Sequence, residues 1–343
     1  MMIFTLIGSF SCGMLFFFNS NTIELGLIAF TLGTIGYGGS LVFYNSFLPV
    51  IAEPADQDKL SARGYSLGYL GGVTLLLINL IFVLFPGFFG ITDKTLPARL
   101  AFLGVFIWWI GFSQITFRRL PKYTFGKREK GVNIIAKGYR ELRNIFNQVM
   151  KTDQLKIYLF GFFFMTMGLL TVMFMAATYA TKELGLKESV LIPTIILIQL
   201  VGMFGAWSFA RISGRIGNVK TLIISIVCWI LICIGAYLIR NAIGFIFVAF
   251  FVGIVMGGTQ ALARSTYSKM LPETLNHTSF FSFYDVMEKI ATVGGTFSFG
   301  IIEAITGSMR YSVLAIITFF LISLVFMLIL LARQQKTMLL QTQ

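Results

Sequence analysis

Long apolar runs separated by short polar breaks make up most of the chain. Four runs, Met1–Phe18, Ile23–Val50, Gly64–Phe85 and Leu100–Phe117, precede one long hydrophilic segment. Six more follow it: Ile157–Ala180, Val190–Ala210, Thr221–Ile239, Ala242–Ala261, Ser279–Ala304 and Tyr311–Leu331. A helix of about 20 apolar residues crosses a hydrocarbon core of about 30 Å. The pattern therefore predicts an all-α, polytopic membrane protein with ten transmembrane helices, four plus six. Met1–Phe18 lies at the short end of the range, but no Lys or Arg precedes it and no small-residue cleavage site closes it. It is expected to be a span rather than a signal peptide. The implied domains are a four-span bundle over 1–117, a linker over 118–156 and a six-span bundle over 157–343.

One run breaks the apolar rule. Within Ser282–Glu303, helical spacing puts Asp285, Glu288, Lys289, Thr292, Thr296 and Glu303 along one side. Phe283, Met287, Ile290, Phe297 and Ile301 occupy the other. A charge at mid-bilayer costs roughly 3 kcal/mol on insertion scales, so such a stripe must face water or polar groups inside a bundle. Lys289 lies about 15 Å from the start of its span, half of the core depth. Asp285 precedes it in the acid-before-Lys order that pairs well one turn apart. Two readings stay open: Lys289 binds a substrate carboxylate while Asp285 or Glu288 carries a proton, or the three form a structural ion cluster that fastens the helix.

Other polar positions gather on helix faces. Tyr44 shares one face of the second span with Thr34, Tyr37 and Ser40, and Tyr65 and Tyr69 share a face of the third with Asn79. Gln260 and Arg264 extend the Gly253/Gly257 face, whose spacing suits a close helix crossing. Arg264 is read either as closing a gate against an acid such as Asp285 or as an interfacial anchor to lipid headgroups. Glu303 marks the outer mouth of the stripe.

Charge sets the orientation. The linker from Arg118 to Lys156 holds 11 Lys/Arg against three acids. With it inside, the Lys/Arg sum is 20 on that side and six on the other, so both termini are expected in the cytoplasm. The net charge of +13 thus reads as topology and not as nucleic-acid binding. Inside the linker, Ile135, Tyr139, Leu142, Phe146 and Val149 recur at helical spacing among Lys137, Arg140 and Arg143. They predict an amphipathic helix along the inner membrane surface, whose charge serves as a topological tether or recognises anionic lipid.

An apolar fraction of 57% and a mean hydropathy of +0.84 exclude an ordinary soluble domain. A single histidine and three cysteines inside apolar runs argue against a metal centre. No HExxH and no nucleophile–base set is present, so neither an enzyme nor a cofactor is expected. The compact loops suit a bacterial cytoplasmic membrane.

Several stretches together sharpen the reading. They are Phe43–Ala52 (FYNSFLPVIA), Ser61-Ala-Arg-Gly-Tyr, Gly68-Tyr-Leu-Gly-Gly, Gly257-Gly-Thr-Gln-Ala-Leu-Ala-Arg-Ser, Phe280 through Lys289, and Thr306-Gly-Ser-Met-Arg. Over essentially the whole chain they resemble the autophagy-related, vacuole-effluxer-like branch of the major facilitator superfamily. The resemblance implies a secondary transporter working by alternating access, and argues against a channel. It implies efflux of a small polar solute, an amino acid or related metabolite; protons as a coupling ion are expected from Asp285 and Glu288 on the stripe. The superfamily has six plus six spans, which would place two more before Met1. A truncated gene or a misassigned start is therefore expected, and a non-transporting membrane protein with a structural role is the alternative. Ile212–Lys220 (ISGRIGNVK) resembles the second-half copy of a cytoplasmic gating-loop motif: Arg215 and Gly217 match, Lys220 supplies a cation, and Gly214 stands where an acid is expected. That copy should therefore latch loosely. In relatives the span from Ile157 often carries Asn, Asp or Gln near its middle, where Thr166, Met167 and Leu170 stand here.

Overall fold

A computed structural model describes residues 1–19, 21–93, 95–121, 134–272 and 276–341, and no strand occurs among them. The helices are α1 (Met2–Met14), α2 (Ile23–Ser46), α3 (Leu48–Ile51), α4 (Gln57–Leu84), α5 (Leu96–Arg119) and α6 (Ile134–Lys151). After them come α7 (Asp153–Leu184), α8 (Glu188–Ile216), α9 (Asn218–Leu238), α10 (Ala242–Met270), α11 (His277–Thr306) and α12 (Met309–Gln341). Eight of these are long and apolar enough to cross a membrane, two fewer than the ten expected. Met2–Phe17 is too short, and the charged stripe of α11 dilutes its apolar content.

The helices outrun the apolar runs that announce them. The expected loop Glu53–Arg63 is mostly helix, because α4 begins at Gln57. Its 28 residues measure about 42 Å, well beyond an apolar core. The first turns hold because Gln57, Asp58, Ser61 and Ala62 are buried by packing that hydropathy does not report.

Two compact units emerge. The first comprises Met1–Phe47 and Gly71–Val132, the second Leu48–Leu70 and Asn133–Gln343. The division falls inside α4. In the first unit α1 and α2 cross at glycines, where a Cβ on Gly36 would collide with the Gly8 backbone. Arg99 closes this unit by donating from Nε to the Phe16 carbonyl, with its guanidinium 4.7 Å from the Phe16 ring centre.

The second unit contains α6 to α12 and the first half of α4. Here α8 and α10 touch through their backbones; a Cβ on Gly257 would overlap the Gly202 carbonyl oxygen. Buried aromatic residues satisfy their polar ends, as they must where water is absent. Tyr158 donates to the Ala263 carbonyl at 2.6 Å, Tyr267 to that of Phe280 at 2.7 Å, and Trp229 to Thr259 Oγ1 at 3.1 Å. At one end, Arg310 donates to the Tyr237 and Ile239 carbonyls at 2.8 Å each, tying α12 to the end of α9.

The amphipathic helix is present as α6, and part of the expected line is docked. Val149 is buried and Leu142 half-buried, joined by Ile145, whereas Tyr139 and Phe146 are exposed. The helix rests on α7 and α11, and Glu141 Oε1 accepts from Asn276 Nδ2 at 2.7 Å and from Ser279 Oγ at 2.9 Å. The side chain of Ile135, and the counted cations Lys94, Lys122, Lys127, Arg128 and Lys130, lie outside the described residues.

Candidate functional site

The stripe on α11 forms as its periodicity requires. Lys289 Nζ lies 3.0 Å from Glu288 Oε1 and 3.5 Å from Asp285 Oδ1, and its side chain is 49% exposed. Thr292 donates to the Glu288 carbonyl at 2.8 Å and Thr296 to the Thr292 carbonyl at 2.9 Å. These back-bonds satisfy hydroxyl groups within the helix itself. Glu303, farther along, pairs with Lys182 at 3.1 Å. The packed face of α11 runs through Tyr284, Ala291, Gly295 and Phe299, while Ile290, Val293, Phe297 and Ile301 are exposed. Of the expected apolar face, Phe283 is buried instead.

Beside this helix lies a small pocket of about 30 Å³, entirely within the second unit. Tyr65 contributes from α4; Phe162, Met165, Thr166, Leu169 and Leu170 from α7; Thr259, Gln260 and Ala263 from α10; Tyr284 and Glu288 from α11. Gln260 and Glu288, expected from the sequence, therefore meet here. Tyr69 joins them indirectly, since its hydroxyl donates to Gln260 Oε1 at 2.6 Å. Asp285, Lys289, Thr292 and Thr296 stand along α11 outside the lining. Tyr44 belongs to the first unit, where its side chain is exposed. Thr166 lines the pocket at the position where the resemblance points to a polar contact. Tyr284 and Thr259 were not singled out from sequence. Tyr284 lies one turn before Glu288, so spacing could have linked them, but it reads as part of an aromatic core.

Arg264 is buried. It is 5% accessible, donates from Nε to Ser61 Oγ at 3.0 Å and from Nη2 to the Ser61 carbonyl at 2.9 Å, and lies 4.7 Å from the Tyr65 ring centre. Ser61 Oγ in turn donates to the Ala261 carbonyl at 2.7 Å. A buried guanidinium keeps its charge only where several acceptors face it, and the first turns of α4 supply them.

The corner between α8 and α9 holds the residues assigned to gating. Gly217 has φ +89, a left-handed value that a side chain would strain, and its N–H donates to the Ser213 carbonyl at 2.8 Å. Arg215 is exposed, and nothing lies within 4 Å of a Cβ on Gly214. The acid missing at Gly214 has a counterpart from another helix. Asp58 Oδ2 pairs with Lys269 Nζ at 2.7 Å and accepts from Ser213 Oγ at 3.0 Å. Asp58 Oδ1 accepts from Asn218 Nδ2 at 2.7 Å. Sequence reasoning missed Asp58, Asn218 and this use of Lys269, because Asn218 lies 160 positions from Asp58 and no local pattern joins them. Among the described residues no cluster of His, Cys, Asp or Glu could hold a metal ion.

The sequence matches the family described as "Vacuole effluxer Atg22 like" across residues 1–338. The chain belongs to that family. Among relatives of this Atg22-like chain, the "Uncharacterized MFS-type transporter YxiO" of Bacillus subtilis is 26% identical over 324 residues, 93% of this chain and 74% of the relative. Autophagy-related protein 22 of Cryptococcus neoformans is 26% identical over 275 residues, 75% of this chain and 47% of that protein. The chain thus spans about half the length of such fungal relatives. Two solved transporters share its fold. The Escherichia coli fucose:proton symporter FucP superposes with a TM-score of 0.69 at 12% identity, covering 96% of this chain and 83% of that one. The human organic anion transporter MFSD10 gives 0.70 at 12% identity, covering 95% and 75%. The Atg22-like chain is therefore an all-α, multi-pass membrane protein of the major facilitator superfamily. Its relatives are transporters, in keeping with a carrier rather than an enzyme.

Proposed function

We propose that the chain is a secondary transporter that moves a small polar solute, an amino acid or related metabolite, out of the cytoplasm by alternating access. One observation supports this above others. Glu288 shares a small pocket with Thr166, Thr259, Gln260 and two tyrosines, while its partners Lys289 and Asp285 stand just outside. Intramembrane ionisable groups are costly and mark transport pathways in such bundles. Asp285 and Glu288 share one Lys289, so the cluster holds one negative charge more than positive. That surplus suits a coupling proton, and the Lys/Arg distribution supports a bacterial cytoplasmic membrane with both termini inside. The halves 1–117 and 157–343, joined by the basic linker, would alternate between two arrangements, with Arg215 and Gly217 at the gate.

The test is flux in liposomes holding the purified full chain, loaded with a panel of labelled amino acids and amines, with and without an imposed pH gradient. Solute-dependent counterflow that a pH gradient accelerates is the expected result. No flux above protein-free liposomes for any solute would sink the carrier reading.

A further inference from the structure

The pocket's charge pattern says which end of a solute it recognises, and this step rests on the carrier reading above. Among the described residues that line it, Glu288 is the only charged one. The nearby cations are committed elsewhere. Arg264 is buried against Ser61, and Lys289 sits outside the lining, bridging Glu288 and Asp285. Part of the lining is aromatic: Phe162 stacks on Tyr284, one turn from Glu288 on α11, with ring centres 4.2 Å apart. A carboxylate beside aromatic faces, with hydroxyl and amide edges, is complementary to a cation carrying an apolar body. A solute carboxylate would instead meet a like charge, with both neighbouring cations already engaged.

We propose that Glu288 binds the protonated amine of the solute, and that Lys289 is the ion it displaces. An incoming ammonium takes over Glu288, and Lys289 stays with Asp285, 3.5 Å away. Each state then leaves two acids facing at least one cation, and no ammonium is stranded unpaired in the membrane, which would be costly. The second carboxylate on α11 thus acquires a specific role, holding Lys289 while the solute is bound. The recognised group is a primary ammonium, which the small pocket of about 30 Å³ can admit; the apolar body of the solute enters as the lining side chains part, and a carboxylate on that body is dispensable.

Binding to the purified full chain in detergent tests this without requiring flux. The probes are phenethylamine and 3-phenylpropionate, similar in size and opposite in charge, read by calorimetry and by the shift in melting temperature. Phenethylamine should bind at least about tenfold more tightly, the equivalent of about 1.4 kcal/mol. Glu288→Gln should weaken it about tenfold or more, and Lys289→Met, which removes the competing cation, should strengthen it several-fold. Equal or tighter binding of 3-phenylpropionate, no binding of the amine, or loss of amine binding in Lys289→Met would each overturn the proposal. If Glu288→Gln does not fold, the two wild-type affinities and the sign of the Lys289→Met change decide. Amine binding without flux of any solute would remove the carrier reading and leave the amine site; flux with a carboxylate preference would do the reverse.

Discussion

Two neighbouring helices each carry a cation into the bundle, and they treat it in opposite ways. Arg264 on α10 is 5% accessible and held by the hydroxyl and carbonyl oxygens of Ser61, neutral groups in fixed positions. Lys289 on α11 is half exposed and held by two carboxylates, each able to release it. The first is an anchor whose partners cannot move without leaving a buried charge unsolvated. The second is exchangeable, because either acid suffices. A charge in an apolar helix is therefore not one kind of thing: the nature of its partners, neutral and rigid or ionic and duplicated, separates scaffold from site.

Substitutions that swap the two behaviours sharpen the contrast. Arg264→Met should have the largest effect, removing two charge-assisted hydrogen bonds, about 3 kcal/mol. A marked fall in melting temperature and in monodisperse yield checks it; an unchanged melt would mean that Arg264 is no anchor. Asp58→Asn should cost less, about 2 kcal/mol, because its Lys269 partner keeps 24% side-chain exposure and can reach water. It should also speed proteolysis in the segment between α8 and α9, where Asp58 holds Ser213 and Asn218. Lys289→Met should change stability by under about 1 kcal/mol, as for partly exposed pairs generally, while altering ligand affinity in the direction given above. Comparable destabilisation by Lys289→Met and Arg264→Met would erase the distinction between anchor and exchangeable ion. Arg215→Ala, at an exposed site, should leave the melt within experimental scatter.

The stripe on α11 could be read in advance because a 3.6-residue period is local: Asp285, Glu288, Lys289, Thr292 and Thr296 announce one another. The membrane-crossing helices were legible for the same reason, through their apolar length. What could not be read is who stands opposite. Ser61 and Arg264 are 203 positions apart, and each carries an unremarkable label alone, a loop serine and an interfacial arginine. With Gly214 in the place of the family's acid, ISGRIGNVK was expected to latch loosely; nothing local announced that Asp58 reaches Ser213 and Asn218 at this corner. The amphipathic linker helix was visible and Val149 was placed on its apolar line, but that Ile145 docks while Tyr139 and Phe146 stay exposed depends on its neighbours α7 and α11.

The contact between α8 and α10 constrains how the pocket can change shape. With the Gly202 carbonyl pressed against Gly257, and Gly205 against the Ile254 backbone, these two helices have no slack in which to slide or roll past one another. Thr259 and Gln260 are thus fitted to a stiff wall. The α7–α11 crossing is tight as well, since a Cβ on Gly295 would meet the Met167 carbonyl and the Thr171 hydroxyl, so adjustment to solutes of different girth falls to the side chains that line the pocket and not to sliding helices. Breadth of substrate choice would then be tuned by what replaces those lining side chains, and hardly at all by changes at the glycine crossings.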